Sequence, residues 1–242
     1  MSMKLTIAHL YPDLLNLYGD RGNTACLEQR LKWRGMEVET VEVMAHEVPD
    51  FSKYDIVLLG GGSDKEQKTV CEKLQAVQPE FKAYVENGGV LLALCGGYEL
   101  LGTTFENAEG KMDGLNLVDM HTELGGERMF ANVVMESELV NMPVVGFTNH
   151  SGRTFIGDNK ALGKVVVGFG NEGTEGMEGI AYKNVIGTYL YGPLLPKNPE
   201  LTDWLLARAL ERKYGTVELA PLDDSVEKAG NEYICKRFAG NK

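Results

Sequence analysis

Short apolar runs alternate with amphipathic stretches over the first hundred residues. The run at 5–10 has strand length and leads to a polar turn, Tyr18-Gly19-Asp20-Arg21-Gly22-Asn23. Asn23 is a candidate cap for a helix reaching to about Trp33, and Gly35 supplies the left-handed residue that stops it. Val38, Val41 and Val43, interleaved with Thr40 and Glu42, predict a second, partly exposed strand. The near-continuous apolar run at 54–59 fits a strand buried on both faces of a parallel sheet, and it ends in Gly60-Gly61-Gly62. Ser63 with Glu66 matches a capping box. Val70, Leu74, Val77, Phe81, Tyr84 and Val85 then recur at spacings of three and four, so a helix follows that kinks or restarts at Pro79. A further buried run at 90–94 meets Cys95-Gly96-Gly97 before a helix-compatible stretch at 98–101. Strands alternating with helices imply an α/β fold: an open, mostly parallel sheet with right-handed crossovers and helices on both faces.

From about 115 to 189 the texture changes to short Val- and Thr-bearing segments punctuated by glycines, which predicts a hairpin-rich second half. Asn198-Pro199 offers a cap and a first-position proline for a late helix carrying Leu201, Leu205, Leu206, Ala209 and Leu210. The segment 222–242 has mixed charge and few apolar residues, as a surface helix or a frayed tail would. No repeat or linker divides the chain, so residues 1–242 read as one domain.

Composition mainly excludes. A net charge of −11 argues against a nucleic-acid partner, which would need clustered Lys and Arg. No apolar run reaches the roughly 18 residues a bilayer span requires, so the chain is not expected to be membrane-embedded. The start of the chain lacks a signal-peptide pattern, which predicts a cytoplasmic location. The four cysteines, Cys26, Cys71, Cys95 and Cys235, form no CxxC pair, so free thiols are expected and no metal site is implied.

Cys95 stands out by its context. In an open α/β sheet the reacting groups collect where strands end and helices begin, and two glycines after a cysteine suit the sharp turn that presents a nucleophile. The amide dipoles of a following helix would favour the thiolate. The glycine turn at 60–62 closes the neighbouring strand, and its amides together with that of Gly96 could form an oxyanion hole.

Taken together, the segments Tyr18-Gly19-Asp20-Arg21-Gly22-Asn23, Gly60-Gly61-Gly62-Ser63-Asp64, Leu94-Cys95-Gly96-Gly97-Tyr98, Asn149-His150-Ser151-Gly152-Arg153-Thr154 and Gly187-Thr188-Tyr189-Leu190 with Gly192-Pro193 resemble the GatD glutaminase family, class I glutamine amidotransferases of lipid II isoglutaminyl synthase. Cobyric-acid-type amidotransferases share the cysteine elbow and the glycine-rich strand ends. The resemblance implies a flavodoxin-like domain that hydrolyses L-glutamine and passes ammonia to a MurT-like Mur-ligase subunit in a heterodimer, without a cofactor of its own. It implies Cys95 as the nucleophile, Gly62 and Gly96 as the oxyanion-hole turns, and Arg128 as the residue that holds the substrate. A guanidinium can grip an α-carboxylate in two-pronged fashion.

One position departs from the family. Its catalytic histidine falls between Leu190 and Gly192, where this chain has Tyr191. A phenol with an ordinary pKa of ~10 is already protonated at neutral pH, so Tyr191 cannot simply replace an imidazole base and weakened activity is expected. The alternatives are a non-catalytic partner-binding module of the same fold and a cobyric-acid-type amidotransferase. Tyr191 is expected at a solvent-reachable cleft mouth. His9, His46, His121 and His150 all lie elsewhere, and His150 is read as a structural hydrogen-bonding residue.

Overall fold

The computed structural model describes residues 3–17, 19–215 and 218–240, so Tyr18 and the last two residues of the predicted tail lie outside the described residues. The apolar runs become strands β1 (Lys4–Leu10), β2 (Glu37–Val43), β3 (Ile56–Leu59) and β4 (Val90–Leu94). They are interleaved with helices α1 (Asp20–Trp33), α2 (Asp64–Gln75) and α3 (Gln78–Glu86). A one-turn helix, α4 (Gly96–Glu99), follows Cys95, starting two residues earlier than the stretch at 98–101 suggested. The second half supplies β5 (Thr104–Asn107), β6 (Gly110–Asp113), β7 (His121–Glu136), β8 (Val144–Phe155), β9 (Gly163–Val167), β10 (Met177–Glu178), β11 (Ile180–Tyr182) and β12 (Val185–Thr188). Helices α5 (Pro199–Tyr214) and α6 (Ser225–Phe238) close the chain, so of the two readings of the segment 222–242 the surface helix holds for residues 225–238.

The first sheet has the order β11-β12-β4-β3-β1-β2, parallel throughout except for edge strand β11. From β2 inward this is the flavodoxin-like order, whose strand ends form a natural crevice. Its central strands divide their side chains with period two. Val57, Leu59, Leu91 and Ala93 enter a core shared with Val70, Leu74 and Phe81 of α2 and α3. Ile56, Leu58, Val90 and Leu92 enter the opposite core with Leu27 and Leu31 of α1 and Leu205 and Leu206 of α5. Helices therefore cover both faces, as the apolar runs predicted. The second sheet runs β10-β9-β7-β5-β6 with β8 paired to β7, and all its pairings but β5–β7 are antiparallel.

Several local signals act as read. Ser63 and Glu66 complete the capping box, Pro79 lies in the first turn of the restarted helix α3, and Gly35 takes φ +68 just past α1. Two predicted caps are overturned. α1 begins at Asp20 behind a left-handed Gly19, and Asn23 lies inside it, its Oδ1 accepting from the Leu195 amide (2.9 Å). Asn198 precedes α5 without capping it, and its side chain instead pairs with both backbone groups of Val145 (2.8 Å each). In both places a buried backbone group elsewhere in the fold claims the amide that a helix end would otherwise use. Among the described residues no helix is long and apolar enough to cross a membrane.

Candidate active site

Cys95 follows directly on β4 and is held at φ +50, ψ −116, a conformation that residues other than glycine rarely adopt. Its amide donates to Thr188 O (2.9 Å), and its carbonyl accepts from the amides of Tyr98 (2.9 Å) and Glu99 (3.1 Å). Backbone on both sides thus fixes the strained residue. The turn demands Gly97, since a Cβ there would sit 2.5 Å from the carbonyl oxygens of both Leu59 and Gly60 at the end of β3. Gly62 is equally confined, 2.7 Å from Leu14 O. With only one turn in α4, the helix dipole behind the thiol is smaller than the sequence implied, and local amides are what remain for anion binding.

Arg128 reaches the same place from the second sheet. The β7–β8 register breaks between Leu124 and Met129, so that 125–128 bulge out of the ladder. Arg153 braces the bulge by donating to Ser151 O (2.9 Å) and Glu127 O (2.8 Å). Arg128 Nε donates to Asn149 Oδ1, and one terminal nitrogen lies 3.4 Å from Asn149 O.

One cleft is lined by Gly62, Cys95, Gly96 and Arg128, together with Gln67, Glu99, Asn149 and His150. Four of the five expected site residues therefore meet. A larger cavity of about 510 Å³ lies away from this cleft, beside Phe51, Tyr84 and Arg212, and holds neither a cysteine nor a histidine.

Tyr191 is the fifth residue, and its setting corrects the expectation of a solvent-reachable mouth. It is only 7% exposed, because its backbone bridges to Phe147 and the two rings meet edge to face at 5.8 Å. Its hydroxyl bonds with Asn149, and burial pushes its pKa up to about 12, with the nearby Cys95 adding to the rise.

Behind Cys95 lies a polar network that sequence reasoning missed. Glu99 is buried, accepts from Gln67 Nε2 (2.7 Å) and Tyr189 OH (3.1 Å), and is pushed up to about 7 by burial against the pull of those two bonds. Tyr189 also meets Thr154 Oγ1 (2.6 Å), which meets Thr122 Oγ1 (2.8 Å). His150 stacks flat on Tyr189 at 3.5 Å between ring centres, and its Nδ1–H donates to Gly152 O (2.9 Å). Burial lowers its pKa to about 3, so it is neutral at physiological pH. This geometry agrees with a structural hydrogen-bonding residue, although it also places His150 in the cleft wall. The sequence did carry a trace of the network: Gln67 opens the series Gln67, Val70, Cys71, Leu74, so a polar residue occupies the apolar stripe of α2.

A strained cysteine at a strand end, glycine turns on two adjacent strands and an arginine thus share one cleft of a flavodoxin-like fold. The chain belongs to the CobB/CobQ-like glutamine amidotransferase domain family, which it matches over residues 6–199. Within that class it is 41% identical to the GatD subunit of the glutamine-hydrolysing lipid II isoglutaminyl synthase of Staphylococcus aureus, over 97% of this chain and 96% of that one. Identity to the corresponding subunit of Streptococcus pneumoniae is 38%, over 95% and 90% of the two chains. Among solved structures, a glutamine amidotransferase of Thermotoga maritima shares the fold, with a TM-score of 0.53, 12% identity and 98% coverage of each chain.

Proposed function

We propose that this chain is a glutaminase subunit that hydrolyses L-glutamine through a thioester on Cys95. Its ammonia goes to a MurT-like Mur-ligase partner, which amidates the D-glutamate of lipid II. The observation that carries this reading is the convergence of the strained Cys95, the Gly62 and Gly96 turns and Arg128 in one cleft of a chain so similar to GatD. Arg128 holds the substrate α-carboxylate. The Cys95 sulfur attacks the carboxamide carbon, and the amides of Gly62 and Gly96 face the oxyanion. Collapse breaks the C–N bond and releases ammonia, and water then cleaves the C–S bond to give glutamate and the free thiol.

The thiol proton needs an acceptor, and Tyr191 stands where the family keeps its histidine. A phenol pushed up to about 12 accepts no proton at neutral pH. Glutaminase turnover is therefore reduced by about 10²-fold, the usual contribution of a positioned base. The test is glutamate release in the presence of the ligase partner, comparing this chain with Tyr191→His. A gain near that factor is expected, and equal rates would overturn the placement of the Cys95–Tyr191 pair.

The burial of Tyr191 against Phe147 also favours a second reading, a non-catalytic module that retains the partner surface. Amidation supported by ammonium but never by glutamine, even in Tyr191→His, selects that reading.

A further inference from the structure

We propose that Gln67 is a positioning residue for the Cys95 elbow, the last link of a directed hydrogen-bond relay running from the β5–β6 hairpin turn to the Gly96 carbonyl. The proposal rests on the reading of Cys95 as the reactive thiol.

Gln67 lies in the first turns of α2, next to the capping box, and is 2% exposed. Its amide joins three elements. Asn107 Nδ2 donates to its Oε1 (2.8 Å), and its Nε2 donates to Gly96 O (3.0 Å) and Glu99 Oε2 (2.7 Å). The direction of the chain is fixed at its far end. The Glu109 backbone N–H, which can only donate, points at Asn107 Oδ1 (2.9 Å). Asn107 must then present its NH₂ to Gln67, and Gln67 must present its own NH₂ to the elbow. A second clasp joins α2 to the β5–β6 turn, since Asp64 Oδ2 accepts from the Ala108 amide (3.0 Å).

The elbow needs such a hold. A residue at φ +50 keeps its strain only while its surroundings over-determine it. Gly97 is fixed by the close backbone of β3, but Gly96 is not: a Cβ there would lie 3.4 Å from Gln67, an ordinary contact. Gly96 O also accepts from the Leu100 amide (3.2 Å), so the Gln67 bond (3.0 Å) is the side-chain half of the hold on Gly96, whose own N–H is the oxyanion donor in the reading above.

The test follows the rate of Cys95 alkylation by iodoacetamide from pH 6 to 10, with peptide mass spectrometry separating the four cysteines. Gln67→Met keeps the length and removes the bonds. Asn107→Asp puts an acceptor opposite Gln67 Oε1, which turns the amide over and sets oxygen against Gly96 O. Each variant is expected to slow Cys95 alkylation about fivefold, the factor one hydrogen bond is worth, and to move the midpoint of the pH profile. The double variant should be no slower than Gln67→Met alone. Unchanged profiles, a loss of thermal stability with the profile unmoved, or additive effects in the double variant would each overturn the relay. If Cys95 of the unaltered protein reacts no faster than Cys26 and Cys71, the reading of Cys95 as nucleophile falls, a failure distinct from that of the relay.

Discussion

Cys95 and Gly97 illustrate how much a single position can reveal. A cysteine followed by two glycines at the end of an apolar run was legible because only a sharp turn needs that composition, and the turn is there. The two glycines are nevertheless unequal. Gly97→Ala should cost about 2 kcal/mol, an overpacking penalty, because its Cβ meets two backbone oxygens that cannot retreat. Gly96→Ala should cost less, since its nearest neighbour is the Gln67 side chain. Urea denaturation of the two variants checks the order. Asn23, Asn198 and the depth of Tyr191 were not legible, because their surroundings come from segments remote in sequence: Leu195, Val145 and Phe147.

Elements buried on both faces, β3 and β4, emerged at nearly their full extent from apolar runs alone. Helix α6 emerged only as one of two alternatives, a surface helix or a frayed tail, because its attachment is polar. Asn231 Nδ2 donates to Pro143 O (2.9 Å) and Lys197 O (3.0 Å). Just before the helix, Asp224 meets Arg30 of α1 (2.6 Å), a guanidinium 2% exposed that also grips Asp203 of α5 (2.7 Å). Apolar periodicity cannot report such contacts. Arg30→Met should destabilise the protein by about 2 kcal/mol, below the full cost of a broken buried pair because both carboxylates keep some solvent. Hydrogen exchange should show α6 opening before the sheet. Ser63→Ala should cost about 1 kcal/mol through the lost cap, readable as a lower denaturation midpoint.

For the molecule as a whole, four buried ionisable groups shape the dependence of stability on pH. Burial lowers His9 to about 4 and His150 to about 3, and raises Glu99 and Glu178 to about 7. Below 6.5, unfolding lets the two histidines take up protons, so their effect is to lose stability as pH falls. Above 4.5, unfolding lets the two carboxyls release protons, so their effect is to lose stability as pH rises toward 7. Between 4.5 and 6.5 the two effects oppose each other, and urea midpoints should be nearly flat. Glu178→Gln should tilt that plateau so that stability rises with pH. An unaltered plateau would mean that Glu178 is ionised in the folded protein.

The two sheets have a further consequence, in the order of folding events. Cys95 belongs to the first sheet, whereas Arg128 and Asn149 belong to the β7–β8 hairpin of the second. The cleft therefore exists only once the two sheets have met over the core they share, and contacts between distant segments form slowly. Both tryptophans, Trp33 on α1 and Trp204 on α5, lie among the helices of the first sheet. During refolding their fluorescence should reach its native value while glutamine still fails to shield Cys95 from alkylation, and that shielding should be the last native property to return.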